Sequence, residues 1–210
     1  MKWHPSSIGK IMTNARSKSE VLSETAKSYI KSIAKQDFYG YNIELNNKYI
    51  IKGIEQEQDS IDLVNAVRFT DYKKNKVRLE TELMTGECDI LLDEAIIDIK
   101  TSWSLETWPA TAEDGDESLY EWQGRAYMYL YDRPSFELIY CMVSTDPNND
   151  FGLLNQWDNM SLHRVDHIDA AKRITVIRYE RDIELELAML ERLRHASEFY
   201  VQYINKLNNK

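Results

Sequence analysis

No other stretch restricts the fold as much as Gly86-Glu-Cys-Asp-Ile-Leu-Leu-Asp-Glu-Ala-Ile-Ile-Asp-Ile-Lys100. Apolar pieces flank one polar break at Asp93-Glu94, a pattern that reads as a β-hairpin. Side chains alternate across a strand, so Cys88, Ile90 and Leu92 share one face of the first arm and Glu87, Asp89 and Leu91 the other. On the second arm Ile96, Asp98 and Lys100 share a face, with Ile97 and Ile99 opposite. Closing the arms about the break brings Asp89 beside Asp98, with Lys100 one residue pair further along. Two carboxylates and an amine at the end of an apolar hairpin are costly to bury unless they compensate one another or hold an ion. A divalent cation supplies that compensation, and magnesium takes oxygen ligands while keeping waters and substrate phosphate in its shell. A solvated Asp-x-Lys strand is the simpler alternative. The glycine three residues before Asp89, the isoleucines around Asp98 and a Gln/Tyr helix downstream argue against it.

That downstream helix, residues 119–131, offers Leu119, Trp122, Ala126, Tyr129 and Leu130 for packing, and sets Gln123 and Tyr127 one turn apart on a common face. Residues 136–143 are apolar on both faces and read as a central strand. Upstream, residues 48–69 have helical period, with Ile50, Ile54, Ile61, Val64 and Val67 near one side. Glu57 falls on that stripe one turn before Ile61, and a carboxylate in an apolar stripe needs a reason. Glu55 is the competing candidate, further round the helix. Val77, Leu79, Thr81 and Leu83 alternate with Arg78, Glu80 and Glu82, a half-exposed strand. The order is therefore helix, three antiparallel strands, helix, strand.

Gly86-x-x-Asp89, Asp98-Ile-Lys100-Thr101 and Gln123-Gly-Arg-Ala-Tyr127 resemble, in order and spacing, the motifs of the PD-(D/E)xK nuclease superfamily, and most closely its phage-type exonuclease branch, which includes lambda exonuclease. Gly53-x-x-x-Glu57-x-x-x-Ile61 looks like the first motif of that family, and the likeness is close over residues 50–143. The resemblance implies an α/β fold with a mixed sheet: a restriction-endonuclease-like core of order αβββαβ in a single nuclease domain. An N-terminal helical extension would occupy 1–47, the catalytic core 48–143, and a strand and long helix 144–210. It also implies a Mg²⁺-dependent deoxyribonuclease in which Mn²⁺ can substitute. Glu57, Asp89, Asp98 and the Ile99 carbonyl would surround the metal, Lys100 the reacting phosphate, and Gln123 and Tyr127 would stand beside them. Arg16, Thr101, Ser102 and Arg125 are candidate DNA contacts. The implied activity is digestion of linear duplex DNA from its 5′ ends, leaving 3′ tails for an annealing protein, by a homo-oligomer, a trimeric ring in lambda-type relatives, in the cytoplasm of a host cell. The alternatives are a restriction-type or structure-specific endonuclease or resolvase, and a catalytically silent DNA-end or protein-binding domain on the same fold.

Length and composition bound these readings. A chain of 210 residues with 43% apolar residues supports one core and hardly two. No run reaches the length of a membrane span, and Met-Lys-Trp-His-Pro-Ser-Ser at the start lacks a signal peptide's apolar region, so no membrane association is expected. Two cysteines, Cys88 and Cys141, cannot supply the four ligands of an iron–sulfur cluster and read as buried thiols in strands. No Gly-x-x-x-x-Gly-Lys-Ser/Thr loop is present, so no nucleotide cofactor is expected. The net charge of −9 argues against a simple electrostatic grip on DNA, although affinity follows local patches and not the sum. Charge is uneven: residues 1–20 set Lys2, His4, Lys10, Arg16 and Lys18 against Glu20 alone, whereas residues 106–121 carry only acidic charges.

The flanking regions are less specific. Ser6 or Ser7 could cap a short helix over 5–13, and residues 22–34 read as a one-sided helix. The connection 101–117, with Trp103, Trp108, Pro109 and an acidic cluster, is long enough to suggest use over a substrate. Residues 146–150 read as a turn, 173–178 as a strand and 181–205 as an amphipathic helix. His163 and His167 lack a third convergent ligand for zinc.

Overall fold

A computed structural model of the chain describes residues 1–43, 47–146 and 151–209. Its centre is a four-stranded sheet in the order β3 (Ile90–Leu91), β4 (Ile96–Thr101), β5 (Ser135–Cys141) and β6 (Ile174–Glu180). β4 and β5 run parallel; the two outer pairings are antiparallel. A parallel pair needs a crossover, and α6 (Ser118–Tyr131) provides it. The mixed sheet, its helices and the long C-terminal helix agree with the expected fold class.

Both faces of the sheet are covered. Ile96, Phe136, Leu138 and Ile177 pack against Tyr127, Met128, Leu130 and Tyr131 of α6. Ile97, Ile99, Ile139 and Cys141 pack on the other side against Ile61, Leu63 and Val64 of α4 (Glu57–Arg68). Alternation along β4 therefore puts Asp98 and Lys100 on the α6 side, as expected from the sequence. A third layer lies outside α6: α1 (Pro5–Ile11), α2 (Glu24–Tyr39) and α7 (Ile183–Asn208) bury Trp3, Ile8, Ile11, Ile30, Met189 and Leu193 together. α2 is capped by Ser23, whose side chain accepts from Ala26 N, and ends at Gly40 with φ +68°.

Several local expectations differ from the structure. The 77–83 strand is broken. Thr81 N donates to Met84 O at 2.8 Å, which turns the chain and leaves a short hairpin of β1 (Leu79–Glu80) with β2 (Thr85–Gly86), separate from the main sheet. Met84 is drawn into the helical layer, where it bridges to Trp3. The chain bends at Asp89, so Cys88 packs with Ile96 and Tyr127 and not on the face of Ile90. Cys88 thus lies outside a named strand; Cys141 is in β5, and both are buried free thiols. The first helix starts at Pro5 with His4 as N-cap, leaving Ser6 and Ser7 inside its first turn, because proline is favoured at the opening position. The helix expected over 48–69 breaks at Gln56 into α3 (Lys48–Glu55) and α4. The ring of His163 meets Trp103 edge-on, centroids 5.1 Å apart. Of the turn expected at 146–150, residues 147–150 lie outside the described residues. No helix among the described residues is long and apolar enough to cross a membrane.

α6 approaches the sheet through Gly124. A Cβ there would come within 2.1 Å of Phe136 Cδ1, and Phe136 is fully buried. Alanine would gain about 1 kcal/mol of helix propensity, but overpacking a well-filled core costs about 1–3 kcal/mol. Gly124→Ala is therefore expected to be destabilising, read as a lower denaturation midpoint with unchanged slope. An unchanged or higher midpoint would show that the helix–sheet contact is softer than described.

Candidate active site

The β3–β4 register pairs Ile90 with Ile97, and its continuation sets Asp89 opposite Asp98. Gly86 permits the approach to this point, since a Cβ would meet Pro5 Cδ at 2.7 Å and Tyr127 Cε1 at 3.2 Å. Asn75 then pins the segment, donating its backbone N–H to Asp89 O at 2.7 Å. Asp89 Oδ2 accepts from Ile99 N at 2.7 Å. In a strand a residue's N–H and C=O point to the same side, so the Ile99 carbonyl is also directed toward the Asp89 side.

Asp98 is almost wholly buried. Its Oδ1 accepts from Gln123 Nε2 at 2.7 Å, and its Oδ2 faces Lys100 Nζ at 2.5 Å without a well-directed hydrogen bond. Burial, followed by the charge of Asp98, pushes the Asp89 carboxyl up to about 7, against the opposing pull of Ile99 N–H and Lys100. Burial pulls the Lys100 ammonium down, but the charge of Asp98, with that of Asp89 behind it, outweighs burial, and the group is held above its ordinary value. Lys100 also lies 4.9 Å from the ring centroid of Tyr120.

These groups line a cleft of 690 Å³ together with Glu57, Thr101, Ser102, Gln123 and Tyr127. Tyr127 donates its hydroxyl to Glu87 O at 2.9 Å, two residues before Asp89, and so braces the bend. Thr101 Oγ1 and Ser60 Oγ are 2.8 Å apart, and Ser102 N donates to Cys141 O. Glu57 reaches the cleft, whereas Glu55 is exposed outside it. The Glu57 carboxylate is ion-paired with Lys74. Among the described residues no three His, Cys, Asp or Glu side chains converge as a ready-made metal cage.

Arg16 and Arg125 are not brought to this cleft. Arg16 is exposed in a separate groove with Glu20 and Glu24. Arg125 is ion-paired with Glu121 at 2.7 Å beside Trp122. Conversely, Lys74, Tyr120, Asp114 and Glu117 line the cleft without having been singled out as site residues. Tyr120 carried a usable signal, being three residues before Gln123 on the same helix. Asp114 and Glu117 come from the long acidic connection, which forms one wall.

Two features make the donor set fit a hard divalent cation. All candidate donors are oxygens, carboxylate or carbonyl. Among the described residues that line the cleft, Glu57, Asp89, Asp98, Asp114 and Glu117 face Lys74 and Lys100 alone, an excess of negative charge that opposes a phosphate unless cations enter with it.

A phage-related exonuclease from Haemophilus somnus 129PT superposes with a TM-score of 0.91 at 33% identity, over 99% of this chain and 96% of that one. The alkaline exonuclease LHK-Exo from Laribacter hongkongensis shares the fold with a TM-score of 0.68 at 15% identity, over 99% of this chain and 92% of that one. LHK-Exo in complex with dAMP gives 0.69 at 16% identity over the same shares. No family model and no curated protein matches the sequence.

The raised Asp89 carboxyl has a consequence for stability without metal. Its proton is held more tightly in the folded chain than in the unfolded one, so its contribution is fully present below the ordinary carboxylate range and lost as pH rises through about 7. Asp89→Asn keeps an acceptor for Ile99 N and removes this loss. In chelator, the variant is expected to melt above the parent at about pH 8, with the gap closing toward about pH 4. A constant gap, or a lower melting temperature at both, would contradict the repulsion.

Proposed function

The chain belongs to the family of phage-related exonucleases, and on that premise we propose that it hydrolyses phosphodiester bonds of linear double-stranded DNA with Mg²⁺ or Mn²⁺. The observation that carries the reading is the pairing of buried Asp98 with half-buried Asp89, with Lys100 beside them on the cleft wall. Asp89, Asp98 and the Ile99 carbonyl would hold the cation, with Glu57 joining once released from Lys74. Bound there, the cation neutralises charge on the phosphate and acidifies water.

The side chains of the protein do the rest. Gln123 fixes the rotation of Asp98, and Ile99 N–H fixes that of Asp89, so both carboxylates are set before substrate arrives. Lys100, kept charged by Asp98, is placed to donate to the phosphate oxygen on which charge grows. Thr101 and Ser102 continue the same wall and offer hydroxyl contacts to the backbone. Contacts of this kind read no bases, in keeping with digestion of any sequence.

The finer reading is 5′ to 3′ digestion that leaves 3′ tails for recombination, handed to an annealing protein in the cytoplasm of a host cell. A homotrimeric ring suits a chain of charge −9. Enclosing one duplex replaces sheer charge by topology and several weak contacts.

A 5′-labelled linear duplex and a covalently closed circle, each with and without chelator, test the activity. Metal-dependent release of label from the linear form alone is expected; ready cutting of the circle would overturn the exonuclease reading. Light scattering of the purified chain is expected to give a trimer, and a monomer that releases DNA after a few nucleotides would defeat the ring. Lys100→Ala is expected to lower kcat by about 100-fold while DNA affinity changes only a few-fold, because the contact strengthens in the transition state. Equal, small losses in both would make Lys100 one phosphate contact among many.

A further inference from the structure

α3 is inside out. Its isoleucine Ile54 and its tyrosine Tyr49 are exposed, while Lys52 is fully buried. Lys52 Nζ donates to Trp103 O at 2.8 Å and reaches Val143 O at 3.5 Å. Trp103 follows the end of β4, three residues after Lys100, and Val143 follows the end of β5. Among the described residues Lys52 has no carboxylate partner, and its compensation is the pair of carbonyls that it joins and the Trp103 ring, whose centroid is 5.8 Å from its Nζ. A buried ammonium satisfied in this way is costly to keep and needs a use.

The next residues on the same helical face extend the contact. Gln56 donates to Ser144 O at 2.5 Å and accepts from Thr145 Oγ1 at 3.1 Å. Ser60 shares a hydrogen bond with Thr101 Oγ1 at 2.8 Å. Spaced four apart, Lys52, Gln56 and Ser60 tie one side of α3 and α4 to the ends of the two parallel strands, one of which carries Asp98 and Lys100. The helix breaks at the middle tie, Gln56, with φ −107° and ψ 16°. Glu57 is the next residue.

We infer that Lys52 is a positioning residue, which clamps α3 to the ends of β4 and β5 and so sets the break at Gln56 that aims Glu57 toward Asp89 and Asp98. It touches neither substrate nor metal. Because β3 and β5 hold β4 in register on both sides, its effect passes through Glu57, and that restricts what its loss can do.

The inference rests on the metal-dependent reading above, and one set of titrations separates the two. Mn²⁺ binding to the purified full chain is measured by calorimetry for the parent, Lys52→Met, Glu57→Gln, the double variant and Asp98→Asn, with circular dichroism melts as a check on folding. Lys52→Met is expected to bind Mn²⁺ about 10-fold more weakly, as for other groups that orient a ligand. The double variant is expected to bind no more weakly than Glu57→Gln alone. Parent-like binding by Lys52→Met, or losses that multiply in the double variant, would overturn the clamp while leaving the site intact. Undiminished binding by Asp98→Asn would instead sink the metal site, and the inference with it. Should Lys52→Met fail to fold, Gln56→Leu, at the next tie, takes its place in the same titration with the same expected result and the same refutation.

Discussion

Asp89, at the bend just before β3, and Asp98, buried on β4, stand together in the cleft wall, and much of the surrounding structure serves to keep them there. Two carboxylates so placed repel, and the repulsion is visible in the Asp89 carboxyl, held up to about 7 by burial and by its neighbour. Lys100 offsets part of it, and Gln123 and Ile99 N–H spread another part over hydrogen bonds; under the proposed function the remainder favours entry of a cation.

The layers of the fold each contribute one constraint to that pair. The sheet sets the register that opposes the two residues, α6 brings Gln123 to one and Tyr127 to the approach of the other, and Gly124 lets that helix come close enough. α3 and α4 bring Glu57 from the far side. The outer layer of α1, α2 and α7 touches none of the reacting groups, but it buries the exposed back of α6 and so holds the Gln123 helix in place.

Residues whose placement follows from local spacing were legible in the sequence. Alternation around a single turn placed Asp89, Asp98 and Lys100, helical spacing placed Gln123 and Tyr127, and a charge on an apolar stripe singled out Glu57 over Glu55. What was hidden depends on contacts between distant segments. The break at Gln56 is held by Ser144 and Thr145, far along the chain, and no local pattern announces it. Lys74 sits in a Lys-Lys-Asn-Lys run indistinguishable from solvated surface until its pairing with Glu57 is seen. Lys52 reads as an ordinary exposed helix lysine, because hydropathy alone assigns the isoleucines of α3 to the core. The 77–83 alternation misled for a related reason: the turn at Thr81 and the capture of Met84 by Trp3 outweigh a weak local strand pattern.

Under the proposed function a divalent cation held by both carboxylates resolves the repulsion between Asp89 and Asp98. Anomalous diffraction from crystals soaked in Mn²⁺ tests this directly. A peak ligated by the carboxylates of Asp89 and Asp98 and the Ile99 carbonyl is expected, with Glu57 turned from Lys74 toward it. Manganese bound elsewhere, or nowhere, with the two carboxylates still facing each other, would contradict it.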